Sequence, residues 1–303
     1  MGDRIRCDSD IQLQDKGVVE SVISFAIVTG GNNDHYLQNT VNSILDLDLE
    51  PFEIIIVGRS EFPNPSVKCV AFDESVRDGW ITKKKNLAVI HSQGDIVVIL
   101  HDYMKVNKDW TRSNVEALTN SNWDVAMCRI TNLDGTRFRD WTLWAANSVG
   151  ISRWFIRTSQ NLVPYTIKNL TRFMYVSGSA MIVRREFMLN NPLEENLTWG
   201  QMEDVEWSLR VRKFWNYKMF PQMSISSQKQ KGNHFKKMGV FSKILMKSYS
   251  VLVKKVLPKP LSSSLEIGFI ELISSNPELQ EAKMRMTALE NAQETLSMDK
   301  NKQ

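Results

Sequence analysis

The sequence predicts an α/β fold: a Rossmann-like, mostly parallel sheet with helices on both faces, followed by a helical C-terminal extension. Three observations carry this prediction. Apolar runs of strand length recur through the first third of the chain, continuous and not alternating, as expected of strands buried on both faces. Segments with helical periodicity separate most of them. Glycine or short polar turns follow the runs.

Residues 1–20 are polar and read as a loose arm. The run from Val22 to Val28 is the first strand, ending in Thr29-Gly30-Gly31. Asp34 then opens a helix with Leu37, Val41, Ile44 and Leu45 on one face. Phe52–Val57 is a second buried strand ending at Gly58, and Val67–Phe72 a third. A helix over Thr82–Ser92 leads through Gly94-Asp95 into a fourth strand, Ile96–Leu100. Ligands of parallel sheets bind at the carboxyl ends of the strands, so Thr29, Gly30, Gly58 and His101-Asp102 are expected to share one crevice. Beyond it, Trp110–Thr119 reads as a helix and Asp124–Ile130 as a strand. Residues 132–144 are rich in Arg and Trp. Phe173–Val183 reads as one strand with a kink at Ser177-Gly178-Ser179. Trp207, Val211 and Phe214 mark the face of a later helix, which Tyr217–Phe220 and a basic segment from Lys229 to Lys237 follow. The expected domain spans 21–238, with a donor half over 21–105 and an acceptor half over 106–238. A helical extension over 239–303 follows, broken at Pro258-Lys259-Pro260.

Composition narrows the function classes. The net charge is +4, from 38 basic and 34 acidic residues, and the basic residues are not gathered in one block, which argues against a nucleic-acid partner. The three cysteines, Cys7, Cys69 and Cys128, are widely spaced and form no zinc pattern, so free thiols in a reducing compartment are the simplest reading. The N-terminal residues contain no apolar core of a signal peptide. No apolar run reaches the roughly 18 residues a spanning helix needs. The expectation is a cytoplasmic protein, not secreted. Residues 241–257 are amphipathic and basic; they suit either an anionic membrane surface or packing on the domain.

The chemistry-bearing stretch is Trp199-Gly200-Gln201-Met202-Glu203-Asp204-Val205-Glu206. Glu203 and Asp204 fall in the first turn of a helix, where the positive end of the dipole keeps carboxylates ionised. The same pattern also describes a merely capped helix with a solvated Glu206. Asp102, at the exit of the fourth strand, can hold a hard divalent cation against a diphosphate, or can be a turn acid. Lys83, Lys84 and Lys85 open the preceding helix and can meet phosphate or line a solvated face. His234 and Lys236 offer a further metal ligand and a further cation. Trp141, Trp144 and Trp199 can stack on sugar rings or pack in the core, and Arg137, Arg139 and Asp140 can contact donor or acceptor.

Taken in order, Thr29-Gly30, Glu53–Val57, Lys85-Asn86-Leu87-Ala88, Gly94-Asp95, Asp102 and Trp199-Gly200-x-x-Glu203-Asp204 resemble the GT-A glycosyltransferases, most closely the family 2-like enzymes. The later block also resembles the Trp-Gly-Gly-Glu-Asp segment of β-1,4-galactosyltransferases and chondroitin-type polymerases. The likeness runs from about Val22 to His234. It implies a nucleotide-sugar donor, with a UDP-sugar favoured, and a divalent cation (Mn2+ or Mg2+) held by Asp102 and His234. It further implies Asp204, or else Glu203, as catalytic base toward a hydroxyl of a glycan or lipid-linked acceptor. Donor contacts are expected from Thr29, Gly30, Gly58, Lys84, Lys85, Asp102 and Lys236, and acceptor contacts from Trp199, Gly200, Glu203, Trp141 and Arg139. Two departures stand out. Gly58-Arg59-Ser60 replaces the Asp-Asp-Gly common in family 2, and His101-Asp102-Tyr103 is not Asp-x-Asp. A sugar nucleotidyltransferase and a degenerate sugar- or nucleotide-binding domain are the competing expectations.

Overall fold

The computed structural model describes residues 23–31, 34–49, 51–59, 61–138, 140–143, 174–212 and 214–229. The polar arm, Arg139, Trp144, His234, Lys236 and the 239–303 extension lie outside the described residues, as do the side chains of β7 (Trp141–Leu143).

The main sheet has eight strands in the order β3-β2-β1-β4-β9-β6-β10-β5. Its first half is the parallel unit expected from the apolar runs: β1 (Ile23–Val28) pairs in parallel with β2 (Phe52–Val57) and with β4 (Ile96–His101), and β2 pairs with β3 (Val67–Val70). Every residue of β1 and β4 is buried, which is why those runs show no alternation. Helices α1 (Asp34–Leu45) and α2 (Ile81–His91) form the connections. On α1 the buried positions are Leu37, Thr40, Val41 and Ile44. Leu45 departs from the expected face and is exposed, with Thr40 taking the inward position.

The second half reverses direction. β9 (Ala180–Arg184) runs antiparallel to both β4 and β6 (Val125–Thr131), and β6 pairs in parallel with β10 (Tyr217–Ser227). The short β5 (Met104–Val106) closes the edge against β10. The single strand expected over Phe173–Val183 is two: β8 (Met174–Val176) pairs with β7 in a separate two-stranded sheet, and β9 joins the main one. Ser177-Gly178-Ser179 is the step between sheets. Strand β10 is far longer than Tyr217–Phe220. It continues past Pro221 through a register shift between Phe220 and Ser224, because proline has no N–H for the ladder and the chain must bulge around it. Trp110 precedes α3 (Arg112–Thr119), which Thr111 caps, and instead plugs the core with its indole N–H donated to the Ser224 carbonyl at 3.0 Å.

Asp140 is fully buried just before β7, and Arg137 grips it through Nε at 2.9 Å and Nη2 at 2.6 Å. This pair closes the 131–140 hairpin internally. Tyr217 packs nearby, and among the described residues its hydroxyl has no hydrogen-bond partner. Burial pushes its phenol well above the usual range; the Asp140 charge adds to this and Arg137 opposes it. Among the described residues no helix is long and apolar enough to cross a membrane.

Two predictions follow from these contacts. Gly58 has φ +117°, and a Cβ there would lie 2.2 Å from the Thr29 carbonyl oxygen. Gly58→Ala must therefore displace the end of β1 and should lower stability by about 2–3 kcal/mol in urea denaturation. The raised Tyr217 phenol keeps its proton in the fold after the unfolded chain loses it near pH 10. Stability tied to that proton is intact below about pH 10 and is lost as pH rises above it. Tyr217→Phe should leave the urea midpoint at pH 7 unchanged or higher, and should exceed wild type by a wider margin at about pH 10.5.

Candidate active site

The floor of the crevice forms where β1 and β4 end side by side. Thr29 and Asp102 are both buried there, and the Thr29 hydroxyl donates to Asp102 Oδ2 at 2.8 Å. The Asp102 main chain is held from both sides: its N–H donates to Val28 O at 3.2 Å, and its carbonyl accepts from the Thr40 hydroxyl of α1 at 2.8 Å. Gly31 N–H donates to Thr29 Oγ1 at 3.1 Å, and Gly30 lies exposed at the mouth. Thr29, Gly30, Gly58 and Asp102 therefore meet at one end of the sheet. Arg59, standing where family 2 has an acid, forms an ion pair with Asp34 at 2.7 Å at the start of α1.

The three lysines of α2 point elsewhere than expected. Lys83 pairs with Glu195 at 2.8 Å. Lys84 is buried; its ammonium donates to the Thr29 carbonyl at 2.9 Å and to the Glu74 carboxylate. Lys85 is wholly buried and faces Glu203 Oε1 at 3.2 Å. The cause is packing on two sides. One side of α2 lies on β1 and β2, and the other is clamped by the 193–199 loop. Thr82 Oγ1 donates to Leu197 O at 2.6 Å and Trp80 Nε1 to Glu195 O at 2.6 Å. The Asn86 amide both donates to Leu193 O and accepts from Leu193 N–H, each at 2.9 Å. A helix covered this way leaves only a stripe through Lys83, Leu87 and Ile90 open to solvent, so the buried Lys84 and Lys85 need close carboxylates, and the half-buried Lys83 finds one as well. Glu74 and Glu195 supply two of them, and nothing in their sequence spacing signals it.

After the short α4 (Arg185–Asn190), the acidic block begins α5 (Glu203–Val211). Met202, in left-handed backbone at φ 61°, turns the chain into it. Such a conformation costs a non-glycine residue roughly 1–2 kcal/mol, and Met202 alone adopts it among the described non-glycine residues. Asp204 Oδ2 accepts the Gly178 N–H at 2.8 Å, and Oδ1 lies 2.9 Å from Val205 N. Gly178 sits so close to this helix start that a Cβ on it would lie 3.0 Å from Glu203 Oε1 and 3.1 Å from Lys85 Nζ. The next residue joins the two acids through backbone: Ser179 O accepts the His101 N–H at 3.0 Å, beside Asp102. The step between β8 and β9 thus connects Asp204 to the Asp102 turn. The Ser-Gly-Ser kink was visible in the sequence, but its role as the donor to Asp204 was not.

The rest of the block divides clearly. Trp199 is 68% exposed at the lip, Trp207 is core, and Glu206 is buried with Arg210 at 2.8 Å, not solvated. The helix ends at Val211, so Phe214 falls beyond it and is exposed. As for a cation, Asp102 offers one oriented carboxylate. Among the described residues no group of three His, Cys, Asp or Glu side chains is placed to complete a metal site. One carboxylate with substrate phosphates is a donor set that Mg2+ accepts, so Asp102 fits as a single ligand.

No family model and no curated protein matches the sequence. Solved structures do match its fold. Residues 1–349 of S. aureus TarS are 13% identical with a TM-score of 0.50, the match covering 84% of this chain and 72% of that one. GalNAc-T7, solved with UDP, GalNAc and Mn2+, is also 13% identical at a TM-score of 0.50, with 82% of this chain and 54% of that one covered. This chain therefore spans about half the length of GalNAc-T7. The parallel first half, the reversed β9 and the crevice at the ends of β1 and β4 are together an α/β fold of the GT-A type.

Proposed function

We propose that this protein is an inverting glycosyltransferase that moves a sugar from a nucleotide-diphosphate sugar to a hydroxyl of a glycan or lipid-linked acceptor. The observation that carries this reading is the tie from Asp204 through Gly178 and Ser179 to the His101-Asp102 turn. In this reading the tie brings an aligned carboxylate and a donor-side carboxylate to one end of a GT-A sheet. That GalNAc-T7 was solved with UDP supports a UDP-sugar as donor.

An acceptor hydroxyl is a weak nucleophile and needs a carboxylate within hydrogen-bond reach. Asp204 is the proposed base. The helix start favours a carboxylate and the Gly178 N–H aims it, whereas Glu203 beside it, expected at the acceptor, is buried on Lys85 and fixes the helix start instead. Exposed Trp199 at the lip suits stacking on a sugar ring. With the base on the face opposite the leaving group, the anomeric carbon inverts, by the logic of inverting glycosidases. Asp102, with His234 from outside the described residues, would hold a divalent cation, Mn2+ or Mg2+, which supplies charge neutralisation to the leaving diphosphate. Lys84 acts one step back in this reading, by holding the Thr29 carbonyl.

The test is a thermal-shift screen of nucleotide sugars with Mn2+, followed by transfer assays with the best donor. Asp204→Asn should keep donor affinity and lower transfer by at least about 100-fold; near-normal transfer would sink the assignment. Nucleotide binding with no turnover by wild type would favour the binding-module alternative. The Lys85–Glu203 pair has its own signature. Lys85→Met alone leaves Glu203 buried without its cation and should lower stability by about 3–5 kcal/mol. Combining it with Glu203→Leu should restore most of that loss in a denaturation cycle.

A further inference from the structure

We propose that Lys229 is a direct contact for the diphosphate of the donor, an inference that rests on the glycosyl-transfer reading above. Each lysine of α2 faces a carboxylate, and Arg59 is matched by Asp34. Lys229, two residues after the end of β10, forms no ion pair among the described residues. Two aromatic rings hold it instead: its ammonium lies 4.7 Å from the Tyr103 ring centroid and 5.3 Å from that of Tyr36. Ring faces attract a cation without neutralising it, so its charge remains available to an anion.

The location follows from the neighbours. Tyr103 is next in the chain to Asp102, and Tyr36 lies in the first turn of α1, just past the Thr29-Gly30-Gly31 loop. Gln228 anchors the backbone: its N–H donates to Tyr103 O at 2.8 Å, and its amide donates to Tyr36 O at 2.9 Å and to Thr40 Oγ1 at 3.0 Å. Thr40 is the residue whose hydroxyl holds the Asp102 carbonyl. The Ser227 hydroxyl donates to Lys229 O at 2.7 Å and lies 3.2 Å from Lys229 N. Lys229 is thus part of the same hydrogen-bonded cluster as Asp102. Charge balance supplies the reason for a cation here. A sugar-nucleotide diphosphate carries roughly two negative charges, and a divalent ion on one carboxylate offsets only about one of them. An ammonium held on the ring of Tyr103, the residue after Asp102, supplies the remainder.

The experiment is titration calorimetry of the full chain with UDP, UMP and inorganic pyrophosphate in Mn2+, comparing wild type, Lys229→Met and Lys229→Arg. Lys229 is half-buried, and an unchanged melting midpoint checks that the variants fold. Lys229→Met should weaken UDP and pyrophosphate binding by about tenfold and UMP binding by less, in keeping with one hydrogen-bonded charge contact. Lys229→Arg should stay within about threefold of wild type. Unchanged UDP and pyrophosphate affinity in Lys229→Met would overturn the assignment while leaving the glycosyl-transfer reading intact. Lys229-dependent binding of pyrophosphate without any binding of UDP would keep the anion contact and remove the nucleotide-donor reading. A wild type that binds none of the three probes would overturn both.

Discussion

The structure turns on a buried ion pair, Lys85 with Glu203, covered by a glycine. Charges withdrawn from water are tolerated only with a close partner, so wherever Lys85 goes Glu203 must follow. Lys85 belongs to α2, which packs on β1 and β2. Glu203 begins α5, which packs on β8. Gly178, at the step between the two sheets, leaves room for both groups and donates its own N–H to Asp204. One electrostatic constraint thus brings into contact three segments that lie far apart in sequence. Asp204 is positioned as a result of it.

Around this centre, polar contacts do the positioning that apolar packing cannot. The central strands of the parallel half, β1 and β4, are buried on both faces and set the sheet order without reference to any site. The orientation of individual side chains at the strand ends comes from short hydrogen bonds: Thr29 to Asp102, Thr40 to the Asp102 carbonyl, and Lys84 to the Thr29 carbonyl. Because buried polar groups are costly when unpaired, each of these bonds also fixes its partner. The proline bulge in β10 makes a related adjustment, shifting the strand so that Ser227, Gln228 and Lys229 arrive beside the Asp102 turn.

The distribution of charge on the crevice follows the same logic. Basic residues that look available in the sequence, Lys83, Lys84 and Lys85, all face carboxylates, whereas Lys229 is held by aromatic rings. A lysine against a carboxylate stabilises structure, while a lysine against ring faces keeps its field. That difference depends on what lies across from each side chain, and neighbours in sequence do not report it.

The parallel half of the fold was legible in the sequence because local signals suffice for it. Runs such as Ile96–Leu100 have one physical explanation, a strand covered on both faces, and Gly30 and Gly58 after the first two runs mark where the chain must turn. Asp102 and the Glu203-Asp204 pair were legible as candidate acids for the same reason, since strand exits and helix starts are local features. Tertiary structure alone decided the rest. Whether the segment through Ser177-Gly178-Ser179 was one strand or two depended on which sheet each half could pair with. The partners of the lysines depended on Glu74, Glu195 and Glu203, and the anchor for Asp204 on a backbone N–H. These are pairings between residues distant in sequence, and their energy exists only once the chain has closed on itself.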